Sequence, residues 1–315
     1  MAISVTEPIG AANDRVARVL FRPFNLGKWF VLGFCAWLAS FGESSGGGGS
    51  FNSGQSFGRG GGGGGQEISD FFDQAVTWVQ ANFGLILFFG IIGLLVLIAL
   101  GLLFTWLGSR GKFMFLDGVV RNRAAVIEPW HRLKTLANSL FWFRVVLGLI
   151  GLAAFGLIVV MCLALAWHDI AAREFGPGAI VALIVGGVLL LPFAIVMAII
   201  NSLLNDFVIP AMYLHNTRVM GAWGLFRHEI AAGRVGVIVL FYLMKIVLVI
   251  VIAIIALVVT CVTCCIAALP YIGTVILLPL FVFMRSYSLY FLQQFGPRWR
   301  VFPDDISLAP PQANP

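Results

Sequence analysis

The sequence predicts an all-α polytopic membrane protein: six transmembrane helices arranged as three helical hairpins, with amphipathic helices at the membrane surfaces. Three observations predict it. Apolar residues make up 60% of the 315 and charged residues 11%, with mean hydropathy +0.98. A soluble domain carries about 25% charged residues, so this chain has too few to cover a water-exposed surface. Long uncharged runs recur along it, at or above the roughly 20 apolar residues that a helix needs to cross hydrocarbon. When those runs are threaded in alternation, nearly all Lys and Arg fall on one side, as the positive-inside rule requires. The net charge of +6 then reads as the charge bias of cytoplasmic loops. No nucleic-acid partner is expected.

Residues 1–27 form a cytoplasmic amphipathic segment. Its "DRVARVLFR" at 14–22 points Arg15, Arg18 and Arg22 at lipid headgroups. Residues 28–42 form a short first span, "WFVLGFCAWLASFG" preceded by Lys28. It is either tilted, with Lys28 as a snorkelling anchor, or re-entrant. Charge decides for a crossing: with the N-terminus inside, eighteen of the twenty basic residues lie in the cytoplasm or at its edge. Only Arg59 and Arg173 lie outside. The N-terminus reads as retained, because no small-x-small cleavage site ends the first apolar run.

Residues 43–66 form a glycine-rich non-cytoplasmic loop, with twelve glycines among the 22 residues Ser44–Gly65. Such a chain is a coil spanning about 25 Å, a tether between the first two spans. Residues 67–80 form an outer interfacial helix. Ile68, Phe71, Phe72, Ala75, Val76 and Val79 recur at helical spacing opposite Asp70 and Asp73, behind Ser69 as N-cap. Residues 81–300 form a five-span bundle, built on the uncharged runs 81–109, 145–167, 175–205 and 246–284. The last is too long for one helix, and "LPYIG" at 269–273 divides it into a hairpin through Pro270 and Gly273. Residues 301–315 are expected to be an unordered cytoplasmic tail.

A threefold pattern runs through these spans. The even-numbered ones end on "KFMFLD" at 112–117, "PAMYLH" at 210–215 and "SLYFLQ" at 288–293. The odd-numbered ones are entered through "LFRPF" at 20–24, "WHRL" at 130–133 and "LFRHE" at 225–229. "FWFRVVL" at 141–147 parallels "YLMKIVL" at 242–248, which matches Arg144 to Lys245. Three parallel hairpin repeats differ from the inverted repeats of many transporters.

The stretch "VIPAMYLHNTRVMGAWGLFRHEIAAGRVGVIVLFY" at 208–242 carries a resemblance, through Pro210, Ala222, Trp223 and Arg227. It is similar to uncharacterised bacterial six-span membrane proteins related to the membrane domain of some glycerophosphodiester phosphodiesterases. "FRPFNLGKWFVLGFCAWLASFGE" at 21–43, followed by a glycine-rich loop, resembles the opening of such proteins. The resemblance implies a fold and a bacterial inner membrane, with both termini cytoplasmic. It implies no reaction, since no soluble segment here is long enough to hold the phosphodiesterase domain.

The catalytic and nucleotide-binding motifs are missing: no H-E-x-x-H, P-loop, G-x-S-x-G or Rossmann fingerprint in context. Cys261, Cys264 and Cys265 in "CVTCC" admit a metal or redox reading, but no His or acid lies near them in sequence. Small soft residues packing between helices explain them more simply. His131, His168, His215 and His228 fall at elbows or edges. His168 and Asp169 are read as helix-cap residues. No catalytic residue, cofactor or metal is expected.

One polar constellation stands out: Asn201, Asn205 and Asp206 at the end of span four, with Arg144, Lys245 and Arg285 on spans three, five and six. Ionisable groups at membrane depth pair or face a watery cavity. The belt is therefore either an ion-paired register lock or an anion vestibule. The sequence favours a non-catalytic scaffold or partner-binding subunit, homo-oligomeric and surrounded by membrane lipids. The alternative is a channel or transporter for an anion or a lipid-like amphiphile.

Overall fold

The computed structural model describes residues 3–41, 83–172, 176–263 and 269–302. Every regular element among them is helical. The glycine-rich loop, the outer interfacial helix, Cys264 and Cys265, and the tail from residue 303 lie outside the described residues. The chain divides into two units, Met1–Phe51 with Thr105–Pro315, and Asn52–Phe104.

The N-terminal helix α1 (Glu7–Leu20) starts with an acid and a proline in its first turn and ends near Arg18, matching the helix dipole at both ends. Helix α2 (Leu26–Ser40) is capped by the Asn25 side chain, which accepts from Lys28 N at 3.3 Å. Helix α3 (Phe83–Arg121) ends at Asn122, whose φ of 55° gives a left-handed terminus. After the short α4 (Ile127–Arg132) come α5 (Lys134–Ala172) and α6 (Pro177–Leu203). Asp169 reaches from α5 to cap α6, accepting from Ala179 N at 2.7 Å, while His168, read with it as a cap residue, is exposed. A π-turn (Leu204–Val208) carries α6 without interruption into α7 (Ile209–His215).

Next are α8 (Val219–Leu225), a second π-turn (Phe226–Ala231) and α9 (Val235–Val262). The chain finishes with α10 (Pro270–Ile276), α11 (Leu278–Gln293) and a 3₁₀ turn at Pro297–Trp299. Among the described residues, four stretches are long and apolar enough to cross a membrane: Leu87–Arg121, Lys134–Asp169, Pro177–His215 and Val235–Val262.

Four expectations are corrected or sharpened. First, Asn201 lies within α6 and Asn205 and Asp206 fall in the π-turn after it, while the helical backbone runs on through "PAMYLH" to His215, the phrase on which span four was expected to end. Second, Pro270 is not a breaker but opens α10, and the next interruption falls at Leu277, ahead of Pro279 in the first turn of α11. Proline fits the first turn of a helix because that N–H lacks an intrahelical partner.

Third, Arg15 does not face headgroups, although Arg22 is exposed and Arg18 half-buried. α1 packs along α11, and Arg15 is fully buried. Its guanidinium donates to Val119 O at 3.0 Å and Val120 O at 2.6 Å. These are last-turn carbonyls of α3, which have no partner within their own helix. A packed face and a lipid face have the same periodicity, so sequence alone does not separate them. Fourth, the tail does not begin at residue 301, since Val301 and Phe302 are both buried.

In the unit that includes Thr105–Pro315, the core sits at one end of the long helices. Phe113, Leu116, Leu140, Phe207, Met212, Phe241 and Phe291 belong to it, with Trp299 from the final turn. Each of the three repeated phrases contributes buried side chains: Phe113–Leu116, Ala211–Met212 and Leu289–Leu292. By contrast, the most apolar windows of α5, α6–α7 and α9 have only 6%, 6% and 11% of their residues buried. The other unit contributes described residues only from 83 to 104, an uncharged helical stretch with exposed apolar side chains such as Phe88 and Leu97.

Candidate polar belt

Pro210 shapes the centre of the belt. In the π-turn Leu204–Val208, the Ile209 N–H bonds to Leu204 O, an i→i+5 register. The carbonyl of Asn205 would then be served by the N–H of residue 210, which proline lacks. Arg285 takes that place, donating from Nη1 to Asn205 O at 2.6 Å. A widened turn of this kind is where π-bulges mark functional or strained positions.

The side chains complete the centre. Asn205 Oδ1 accepts from Lys112 Nζ at 2.5 Å and from Arg144 Nη2 at 3.4 Å. Asp206, 4% exposed, accepts from Lys245 Nζ through both oxygens at 2.6 Å. It also accepts from Ser288 Oγ at 3.0 Å. Four helical segments are thus joined to one turn. Arg144, Asn205, Asp206, Lys245 and Arg285 come together, and Asn201 lies one turn earlier on α6, half-buried. Arg144 and Lys245, matched by the repeat, reach adjacent residues.

A second centre was not singled out from the sequence. Asp117, 1% exposed, pairs with Arg132 and with Arg121 Nε at 3.2 Å. It also accepts from Tyr213 OH at 2.7 Å. Both centres use polar residues of the repeat phrases: Lys112 and Asp117 from the first, Tyr213 from the second, Ser288 from the third. That shared origin was the available signal. The phrases read as span ends, whereas α3 continues past the first of them to Arg121.

Both carboxylates accept charge-assisted hydrogen bonds from cations. Among the described residues no group of three or more His, Cys, Asp or Glu could hold a metal ion. Cys35 is buried, Cys162 half-buried and Cys261 exposed, and all three are free thiols. His215 lies edge-on to Trp299 with ring centres 5.0 Å apart, while His131, His168 and His228 are exposed. The geometry is that of an ion pair and charge-assisted hydrogen bonds tying helices to one turn.

Among known protein families, a model described as a family of unknown function, DUF7544, matches residues 3–282. No curated protein and no solved structure matches the chain.

Proposed function

The chain belongs to the DUF7544 family, whose function is unknown, and from its geometry we propose a non-catalytic membrane protein that acts by assembly. It is a scaffold or partner-binding subunit of the bacterial inner membrane, homo-oligomeric, with both termini in the cytoplasm. Its six spans form three hairpins: four long helices, the short α2, and the broken pair α10–α11. The likeness to the membrane domain of some glycerophosphodiester phosphodiesterases belongs to the same proposal, as a shared fold without the reaction.

The observation that carries this reading is the belt. Asp206 and Arg144 are both buried, and the belt's cations are turned onto Asn205 and Asp206. Such a belt sets helix register, which supports the scaffold reading over the vestibule. The sparsely buried windows of α5, α6–α7 and α9 leave apolar faces for association within the bilayer, where packing between helices drives assembly.

The test is disulfide crosslinking of Leu257→Cys, an exposed position on α9, in a background lacking the five native cysteines. Crosslinked copies in native membranes, and purified protein that carries no chloride into liposomes, are the expected result. A protein that stays monomeric at every membrane density, co-isolates with no partner and conducts chloride would overturn the scaffold. The channel or transporter reading would then take its place.

A further inference from the structure

Beside the first half of α5 runs a groove of about 850 Å³, lined by Lys134, Asn138, Trp142, Val146 and Ile150 on α5 and by Arg218 before α8, among others. The α5 residues recur at intervals of four, so they follow one inclined row along the helix. Arg144 lies off that row, at Asn205. One end of the groove is basic: Lys134 and Arg218 are both exposed. A third cation stands next to it. Arg110 lies 4.6 Å from the ring centres of both Trp106 and Trp130 and donates to Asn138 Oδ1 at 3.4 Å. Val219 N donates to Ser139 Oγ at 3.2 Å, which holds Arg218 beside α5.

The other end is apolar, and among the described residues no acid lines the groove. From Lys134 to Ile150 the helix rises about 24 Å. That length takes a headgroup and most of an acyl chain, since one leaflet contributes about 15 Å of hydrocarbon. Trp142, 65% exposed, falls midway, the level at which tryptophan sits in a membrane interface.

We propose that this groove is a binding site for an anionic phospholipid, with the phosphate between Lys134 and Arg218 and one acyl chain along Val146 and Ile150. The site goes beyond the scaffold reading. It needs only that the chain resides in a bilayer, and it holds for a monomer or an oligomer.

The test uses the full chain in phosphatidylcholine vesicles doped with brominated-chain phosphatidylglycerol or brominated-chain phosphatidylcholine. The difference in tryptophan quenching between wild type and Trp142→Phe isolates Trp142. Phosphatidylglycerol should quench that component at roughly ten-fold lower mole fraction or better, given about five-fold per basic residue near the surface. Lys134→Gln with Arg218→Gln should bring the two lipids level, at an unchanged elution volume. Equal quenching of the wild type by both lipids, or a preference that survives the double substitution, overturns the site. Loss of phosphatidylglycerol quenching on adding inorganic phosphate would assign the groove to a soluble anion and overturn the lipid.

Discussion

Asp206 accepts from Lys245 through both oxygens at 2.6 Å, in a place where 5% of its side chain meets solvent. Removing one partner of a buried pair strands the other charge, which costs more than removing both. Asp206→Asn should therefore lower stability by about 3 kcal/mol, and Lys245→Met should recover most of that in the double variant. Thermal unfolding of the single and double variants in detergent measures the coupling. A neutral Asp206→Asn would reduce the pair to an incidental contact. Arg15 presents a parallel case. Ala12, Arg15, Val16 and Val19 share one face of α1 and are all buried, so the cation is on the apolar stripe by register. Arg15→Gln should cost about 2–3 kcal/mol through the lost carbonyl contacts, while Arg22→Gln, exposed, should change the unfolding midpoint little.

At the scale of elements, α2 is held by close backbone approaches. A Cβ on Gly111 of α3 would lie 2.5 Å from Ala39 N, and one on Gly33 of α2 would lie 2.6 Å from Val275 Cγ2 of α10. Tyr271 OH donates to Phe30 O at 3.1 Å, adding a polar tie between α2 and α10. At 15 residues, α2 is about 22 Å long, short of the roughly 30 Å hydrocarbon core. It packs against α10, shorter still at 7 residues, so two helices that span poorly alone shield each other. Gly111→Val meets backbone, which a rotamer change does not relieve, and should push α2 off α3. Cys35, buried on α2, reports this directly. With the other four cysteines replaced, N-ethylmaleimide should label Cys35 only after denaturation in the parent and readily in Gly111→Val. Equal protection in both would show that α2 tolerates the displacement.

For the whole molecule, the proposed topology rests on charge. Eighteen of twenty basic residues fall on one side when six spans are threaded. A single cysteine at Ser53, in a cysteine-free background, should react with an impermeant thiol reagent in intact cells. One at Ala309 should stay unreactive until the membrane is broken. The reverse labelling pattern would exclude cytoplasmic termini.

By itself the sequence determined the helical class and the long apolar helices, and it singled out part of the belt but not Lys112 or Ser288, which the structure adds. Those properties depend on hydropathy, which composition and spacing express locally. Asn205, Asp206, Lys245 and Arg285 were legible because a charge in an apolar run is conspicuous wherever it occurs. What covers each helix was decided only by the tertiary structure. Arg15 carries an amphipathic signal that fits lipid headgroups and α3 carbonyls equally well. Pro210 acquires its role only once Arg285, 75 residues further on, is brought to the carbonyl that the proline leaves open. Asp117 closes the phrase at which its span reads as ending, because hydropathy marks where the hydrocarbon ends and not where a helix ends. The extension of α3 past its uncharged run depends on core residues from α1, α7 and α11, and that packing is not written in any one stretch of chain.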